Sequence, residues 1–169
     1  MSKVFGVTGW KNSGKTTLVS ALVAEFTRRG LTISTVKHAH ESFDIDHAGT
    51  DSHSHRKAGA QEVALVSNSR WALMHEIKSQ GAAPSLNQIL SKLAPCDLVL
   101  VEGFKNSPIP KIECIREQSQ SQSPLWVEND SILAVATDRP DEVDQRPSFD
   151  LSDIDAIADF IAQISGLGR

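Results

Sequence analysis

The chain has 169 residues, 40% of them hydrophobic and 22% charged, which is the composition of an ordinary globular protein, and we expect a single domain over residues 1–169. Its formal net charge of −4 at pH 7 excludes a broad electropositive surface, so no nucleic-acid partner is expected. The N-terminal residues lack the pattern of a signal peptide, and the longest apolar stretch, residues 98–101, is too short to span a bilayer, so we expect a cytoplasmic protein with no membrane partner.

The first half of the chain predicts strands and helices in alternation. A short apolar run at residues 4–8 predicts a buried strand. Residues 15–29 place apolar side chains on one helical face, and Gly30 is suited to cap the C-terminal end of that helix. A short helix is expected over residues 51–59, with Asp51 near its N-cap. Further strands are predicted over residues 32–37, 62–67 and 70–76.

The second half continues the alternation. Ser85 is a candidate cap for a helix over residues 86–93, and Ser152 for a last helix with an apolar stripe from Ile154 to Ile164. The Ser- and Gln-rich residues 117–124 predict a surface loop. Strands are predicted over residues 97–102, 111–116 and 132–137. This order predicts an α/β fold with a mainly parallel sheet flanked by helices.

Residues 9–16 match the phosphate-binding motif G-x-x-x-x-G-K-[ST] at every fixed position. Glycines let backbone N–H groups converge on phosphate oxygens, and the N-terminus of the following helix favours anions. Lys15 can reach the β- and γ-phosphates, and the Thr16 hydroxyl can bind Mg²⁺. The alternative is an ordinary glycine turn with a solvated lysine. The strand predicted before this motif and the amphipathic helix predicted after it favour a phosphate cradle, a loop that binds a nucleoside triphosphate. The predicted binding residues are Gly9, Trp10, Lys11, Asn12, Ser13, Gly14, Lys15, Thr16 and Thr17.

Acidic residues follow two of the predicted strands. Glu102 ends the strand over residues 97–102, where proteins with this cradle carry a second acid, and Asp97 lies at the opposite end. We therefore expect Glu102 to act as metal ligand or as base for a water, and take Lys15 and Glu102 as the catalytic candidates; the alternative for Glu102 is a carboxylate that faces solvent. One of Asp44, Asp46 and Asp51, which follow the second strand, is a candidate to complete the metal shell, the alternative for Asp51 being a simple N-cap.

The polar stretch over residues 38–56 contains five of the six histidines. It lacks nearby thiolates and the helical i, i+4 pair of zinc sites, so structural zinc is the weaker hypothesis. The stronger one is recognition of an anionic substrate by Lys37, His38 and His40 beside the cradle, and solvated loop histidines are the remaining alternative. The two cysteines, Cys96 and Cys114, are too isolated for a disulfide framework or a metal site, so buried free thiols are expected.

A third polar position follows the strand over residues 132–137. There the carboxylate of Asp138 is a candidate to accept hydrogen bonds from N1 and N2 of guanine. The N-K-x-D pattern of typical GTPases is absent. The alternative for Asp138 is a turn residue before Arg139 and Pro140.

Several blocks of the sequence occur in the order found in the MobB family, the molybdopterin-guanine dinucleotide biosynthesis protein B family. They are the cradle at 9–16, KHAH at 37–40, FDID at 43–46, GTDS at 49–52, RKAGA at 56–60, RWALM at 70–74 and VEGFK at 101–105. The chain therefore resembles this family over nearly its whole length. Two positions depart from the family pattern: Glu41 stands where a second histidine is common, and Thr50 where lysine is common.

The resemblance implies a GTP-binding accessory protein of molybdenum-cofactor maturation, at most a weak Mg²⁺-dependent GTPase. Its implied partners are GTP, molybdopterin or its guanine dinucleotide, and the MobA guanylyltransferase, which attaches GMP to molybdopterin. The family fold implies a homodimer joined through added β-structure, for which residues 70–76 and 111–116 are our candidates, with Trp71 and Leu73 alternating as on an interface strand.

The Glu102-Gly103 pair is also similar to the dethiobiotin synthetase branch of P-loop proteins. That resemblance implies that Thr16, Asp51 and Glu102 hold Mg²⁺ and that Lys37 touches phosphate, which favours Asp51 over Asp44 and Asp46. It also leaves an ATP-dependent small-molecule kinase or ligase as an alternative function. The scattered arginines show no lid block to exclude water, which weakens that alternative. A non-hydrolysing adaptor for molybdopterin or the nucleotide is the third possibility.

Overall fold

The computed structural model describes residues 2–39, 43–77, 82–119, 123–143 and 145–168. The chain forms two compact units, one of residues 1–38 with 86–169 and one of residues 39–85. The expectation of a single domain over the whole chain stays a prediction. In the described parts of the chain, no helix is long and apolar enough to cross a membrane.

The elements follow the alternating order that the sequence predicts. The strands are β1 (Lys3–Thr8), β2 (Ile33–Lys37), β3 (Glu62–Val66), β4 (Trp71–His75), β5 (Leu98–Glu102), β6 (Lys111–Ile115), β7 (Ile132–Thr137) and β8 (Ser148–Asp150). The helices are α1 (Lys15–Arg28), α2 (Asp51–Lys57), α3 (Leu86–Leu90) and α4 (Ile154–Ser165).

The first unit is built on a six-stranded sheet in the order β2-β5-β1-β6-β7-β8, and each neighbouring pair is parallel. Helices pack against it, so the predicted α/β class is confirmed. Parallel strands have their carboxyl ends at one edge, which brings the residues after β1, β2, β5, β6 and β7 together. Ligands of such sheets bind at this edge.

Both faces of the sheet are covered, because successive side chains of β5 point alternately into two hydrophobic cores. Leu98 and Leu100 join the core that α1 and α4 cover, together with Phe5, Leu22 and Ile161. Val99 and Val101 join the opposite core, against Leu86 of α3. All five residues of β5 are therefore buried, as expected for a central strand of a parallel sheet.

The prediction that residues 111–116 belong to a dimerisation surface is wrong. They form β6, which lies between β1 and β7, and its first four residues are buried. The two charged residues of this strand, Lys111 and Glu113, are satisfied inside the fold. The Lys111 ammonium donates to the carbonyl oxygens of Ser107 and Ile109 and to Ser131 Oγ.

Glu113 is the second buried charge of β6 and fixes the segment before β7. Its carboxylate accepts the backbone N–H groups of Leu125 and Trp126 at 3.0 and 2.9 Å. Burial raises the pKa of Glu113 and lowers the pKa of Lys111. Both side chains tie loops to the sheet, since each bonds the backbone of residues that flank the strands.

Several element ends differ from prediction. Helix α4 is capped by Asp153, which accepts from Ala156 N at 3.1 Å, whereas Ser152 donates to Asp150. Helix α2 is capped by Thr50, so Asp51 is its first residue and not its cap. Strand β8 was not predicted, because three residues at a sheet edge leave too short a pattern. Helix α3 ends at Leu90, three residues earlier than predicted.

The two cysteines are free thiols with different surroundings. Cys114 lies in β6 and is buried, and burial raises its pKa to about 12. Cys96 is half-buried, and its thiol contacts the carbonyl oxygen of Leu98 at 3.6 Å.

The second unit contains α2 and an antiparallel hairpin of β3 and β4. One face of the hairpin is apolar and exposed: Val66 lies opposite Trp71, and Ala64 opposite Leu73. At the end of this face, Glu62 Oε1 and His75 Nδ1 lie 2.7 Å apart, within hydrogen-bond distance. On the other face, Val63 and Met74 are buried. We call the exposed set Ala64, Val66, Trp71 and Leu73 the hairpin face.

Candidate nucleotide-binding site

The loop between β1 and α1 has a backbone that requires its glycines. Gly9 has φ 134° and Gly14 φ 95°, in the region that L side chains rarely adopt. A Cβ atom at Gly9 would lie 2.4 Å from the carbonyl oxygen of Cys114 and 2.7 Å from Ser13 Oγ. The loop therefore passes against β6 with no room for a side chain. Asn12, with φ 64°, completes the turn into the helix.

Lys15 begins α1 and turns its side chain back along the loop. Its Nζ donates to the carbonyl oxygen of Trp10 at 2.5 Å and to Ser13 Oγ at 3.5 Å. Burial lowers the pKa of Lys15, and the nearby Glu102 carboxylate opposes this effect without cancelling it. A half-buried ammonium group at a helix N-terminus is a strong partner for phosphate oxygens. Lys11 and Thr17 are exposed beside it.

The side chains of Thr16, Lys37 and Glu102 meet at the carboxyl ends of β2 and β5. Thr16 Oγ1 donates to Glu102 Oε1 at 2.8 Å. Lys37 Nζ donates to Thr16 Oγ1 at 3.3 Å and lies 3.2 Å from Glu102 Oε1. This follows from the register, since Glu102 pairs with Lys37 of β2 on one side and with Val7 of β1 on the other.

The oxygen donors of this group fit a magnesium ion. Mg²⁺ prefers hard oxygen ligands, and Thr16 and Glu102 present a hydroxyl and a carboxylate within hydrogen-bond distance of each other. Glu102 is 8% exposed, so one carboxylate oxygen points at the loop from a buried position. Asp51, the third predicted ligand, is exposed in the second unit, and its place in a metal shell stays a prediction.

Asp44 and Asp46 bind Arg56 within the second unit. The Nη2 atom of Arg56 lies 2.5 Å from Asp46 and 3.0 Å from Asp44, and its Nη1 atom 3.0 Å from Glu76. The Arg56 guanidinium lowers the pKa of Asp46. These contacts tie the loop before α2 to the end of β4. Asp44 and Asp46 therefore have a structural role as partners of Arg56, which requires no metal.

His38 follows Lys37 and lies beside the same strand end. Its ring packs on Phe104 with centroids 4.7 Å apart, and its backbone N–H donates to the carbonyl oxygen of Glu102 at 3.0 Å. A Cβ at Gly103, where φ is 91°, would lie 3.1 Å from His38 Cβ, so glycine permits this close approach. His40, the other histidine predicted to contact an anion, lies outside the described residues.

Asp138 lies on the other side of the loop, at the end of β7. It is exposed, and its carboxylate accepts the backbone N–H of Glu117 at 3.2 Å. The Glu117 carboxylate in turn pairs with Arg139. Strands β7 and β5 lie on opposite sides of β1, so Asp138 and Glu102 stand on opposite sides of the loop that follows β1.

Two basic residues beside the loop were not predicted from the sequence. Arg116, after β6, lies against the loop: its Nε would be 2.9 Å from a Cβ atom at Gly14. Lys105 Nζ lies 4.0 Å from the centroid of the Trp10 ring. The signal for Lys105 was its place three residues after Glu102 in the VEGFK block. The signal for Arg116 was its position just after a predicted strand. That position indicates closeness to the loop only when β6 is known to lie beside β1.

Comparisons with known proteins identify one family over most of the chain. The family model of MobB, described as Molybdopterin guanine dinucleotide synthesis protein B, matches residues 4–138. Two curated relatives are both named molybdopterin-guanine dinucleotide biosynthesis adapter protein. The one from Haemophilus influenzae is 40% identical over 158 residues, covering 94% of this chain and 86% of the relative. The one from Escherichia coli is 34% identical over 165 residues, covering 96% of this chain and 93% of the relative.

Solved structures agree on the fold. A crystal structure of a MobB protein homolog from Bacillus stearothermophilus is 27% identical with a TM-score of 0.70, and covers 98% of this chain and 99% of that one. The crystal structure of Bacillus subtilis MobB has a TM-score of 0.74 at 21% identity, with 95% and 96% covered. The latter similarity shows the fold alone.

Proposed function

This chain belongs to the MobB family of molybdopterin guanine dinucleotide synthesis protein B, and we propose from that membership that it is a GTP-binding adapter in the biosynthesis of molybdopterin guanine dinucleotide. It carries the nucleotide-binding P-loop of residues 9–16. We propose that it works in the cytoplasm with a MobA-type guanylyltransferase, and that molybdopterin or its guanine dinucleotide is its second ligand. Two free thiols are in keeping with a reducing compartment.

The observation that carries the nucleotide assignment is the convergence of Lys15, Thr16 and Glu102 on one strand edge. The loop backbone binds phosphate oxygens, and Lys15 exchanges its contact with the Trp10 carbonyl for the β- and γ-phosphates. Thr16 and Glu102 would hold Mg²⁺, and the ion would supply positive charge beside the phosphates. Lys37 would then move from Glu102 to a terminal phosphate oxygen, whose negative charge its ammonium group would offset.

Hydrolysis in this arrangement is slow. Glu102 would orient a water or accept its proton, but its carboxylate already accepts a hydrogen bond from Thr16 and would also hold the metal, which reduces its capacity as a base. Slow turnover suits an adapter, because the bound nucleotide then persists until a partner acts. The guanine base is assigned to Asp138, whose carboxylate is held by Glu117 N and remains exposed for N1 and N2 of the base. The preference for GTP over ATP otherwise rests on family membership.

Replacing Glu102 by glutamine tests the metal and base assignment. We expect the Mg²⁺-dependent hydrolysis of GTP to fall about 100-fold, since a positioned base contributes about 10²- to 10⁴-fold. GTP affinity should change much less, because Lys15 and the loop backbone are intact. Single-turnover assays measure the first effect and calorimetry the second. The matched control is Glu128→Gln, which removes one exposed carboxylate elsewhere in the same unit. Equal hydrolysis by Glu102→Gln and the control would exclude this role.

The adapter function is tested in a reconstituted assay. GMP attachment to molybdopterin by a MobA-type guanylyltransferase is measured with and without this protein, in the presence of Mg²⁺ and GTP. We expect the yield to rise with wild-type protein and not with Lys15→Ala. A yield that is the same with and without wild-type protein, over a range of protein ratios, would contradict the proposal.

We further propose a homodimer formed through the hairpin face. Trp71 is 70% exposed, Val66 79% and Leu73 46%, and the two directly opposed apolar pairs make them one continuous patch. A patch of this kind on a two-stranded hairpin marks an interaction site. Burial against a second copy would also supply the packing that an isolated hairpin lacks.

Trp71→Glu is expected to convert the dimer to a monomer. The substitution places a charge in the patch, where burial in an interface would leave it without a partner. Light scattering after size-exclusion chromatography measures the mass. The control is Val127→Glu, which removes an exposed apolar residue of the first unit and should leave the dimer intact. A monomeric wild-type protein, or a dimer that survives Trp71→Glu, would contradict the assignment.

A further inference from the structure

The indole ring of Trp10 is held rigidly beside the P-loop. Trp10 follows Gly9 directly, and its Nε1 donates to the carbonyl oxygen of Ser123 at 3.0 Å. The segment that carries Ser123 is itself fixed, because Glu113 accepts the N–H groups of Leu125 and Trp126. One edge of the ring is therefore anchored to the sheet through a buried carboxylate.

The backbone of Lys105 is also fixed, while its side chain has only a weak partner. The Lys105 carbonyl accepts from Asn129 Nδ2 at 3.0 Å, and Phe104 before it has φ 49°. The Lys105 ammonium lies over the Trp10 ring, 4.0 Å from its centroid. Within the described residues it has no carboxylate at ion-pair distance, in contrast to Lys37, which is paired with Glu102. A cation whose nearest partner is an aromatic ring is held weakly.

Lys15 has two other ammonium groups and one carboxylate near enough to act on its pKa. Burial lowers the pKa of Lys15, the Glu102 carboxylate raises it, and the ammonium groups of Lys105 and Lys37 lower it. Glu102 is shared between Thr16 and Lys37, while Glu113 is bonded to backbone N–H groups and interacts with the Lys105 charge from beyond ion-pair distance. A cation placed against like charges, with an aromatic ring as its partner, gains most from an added anion.

We infer that Lys105 and Trp10 form a second phosphate-binding element, in which Lys105 leaves the indole ring to bind a phosphoryl group that the P-loop backbone does not hold. The group is either the terminal phosphate of the bound nucleotide or the phosphate monoester of a second small molecule bound beside it. The proposal rests on nucleotide binding at residues 9–16. Without the phosphoryl group, Lys105 lies over the Trp10 ring. The fluorescence emission of Trp10 should therefore change when Lys105 leaves the ring to bind phosphate.

The test uses full-length protein with Trp71→Phe and Trp126→Phe, which leaves Trp10 as the one tryptophan among the three in the chain. Its emission is titrated with GDP, with GTP, and with inorganic phosphate in the presence of saturating GDP and Mg²⁺. The same titrations are made with Lys105→Met, Lys105→Arg and the matched control Lys92→Met, an exposed lysine of the same unit.

The terminal phosphate of the nucleotide is the ligand if Lys105→Met weakens GTP binding about tenfold, leaves GDP binding unchanged and abolishes a GTP-specific emission change. A second ligand's phosphate is assigned if inorganic phosphate binds alongside GDP and only Lys105→Met loses that binding. In either case Lys105→Arg should retain most of the affinity, and Lys92→Met should behave as the parent.

Unchanged affinities and an unchanged Trp10 signal in Lys105→Met would overturn the inference. If Lys105→Met does not fold, Lys105→Arg and the parent still decide the question, because a Trp10 emission that responds identically to GDP, GTP and phosphate also overturns it. Parent protein that binds GDP and GTP while failing these tests leaves the nucleotide function standing. Parent protein that binds neither nucleotide rejects the proposed function itself.

Discussion

Lys15→Ala is expected to lower the affinity for GTP by about 100-fold or more, or about 3 kcal/mol. The ammonium group of Lys15 is half-buried at the start of α1 and is hydrogen-bonded to the loop that would bind the phosphates. Alanine keeps the helix but leaves the β- and γ-phosphates without their charge partner. Calorimetry with GTP and Mg²⁺ measures the loss directly.

Two comparisons separate this effect from unfolding. Lys92→Ala removes an exposed lysine from the same unit and should bind GTP as the wild type does. The thermal unfolding temperature of Lys15→Ala should not fall, because burial already disfavours the charged form of this lysine. Unchanged GTP affinity in Lys15→Ala would mean that the loop does not hold the triphosphate in the proposed way.

Gly9→Ala is expected to have the largest effect on stability, a loss of about 3 kcal/mol or more in the free energy of unfolding. Part of the cost is the backbone, because φ is 134° at this position. The rest is overlap, since the new Cβ would lie 2.4 Å from the Cys114 carbonyl oxygen in the buried strand β6. Strand β6 cannot shift without breaking its hydrogen bonds to β1 and β7.

Gly30→Ala is the matched control for Gly9→Ala. Gly30 also has a positive φ, 84°, but a Cβ there meets no atom within 4 Å, so about 1 kcal/mol of conformational strain is expected. Urea unfolding of both variants isolates the steric contribution at the P-loop. A Gly9→Ala protein no less stable than Gly30→Ala would show that the loop is free to move away from β6.

The central part of this fold was predictable from the sequence because it depends on local patterns. The continuous apolar run of β5 between polar ends located the strand and assigned Asp97 and Glu102 to opposite edges. The structure agrees: Asp97 accepts from Thr32 N at the far end, while Glu102 meets Thr16. The P-loop was equally clear, since glycines at fixed spacing between a strand and a helix leave few other conformations.

Sheet order was not predictable, and one error follows from it. Residues 111–116 were a candidate for added β-structure, but as β6 they lie between β1 and β7, and Lys111 and Glu113 bond to loop atoms far from any recognisable motif. The closeness of Arg116 and Lys105 to the P-loop depends on which strands lie beside β1. The caps of α2 and α4 moved by one residue, since Thr50, Asp51, Ser152 and Asp153 are all good caps and backbone geometry decides among them.

A crystal structure with Mg²⁺ and a non-hydrolysable GTP analogue tests the central claim most directly. The account predicts phosphate oxygens bound by the backbone of residues 9–16 and by Lys15. It also predicts Mg²⁺ about 2.1 Å from Thr16 Oγ1, with Glu102 binding it directly or through one water, and the guanine base beside Asp138. An analogue bound away from the loop, or a metal without contact to either Thr16 or Glu102, would contradict it.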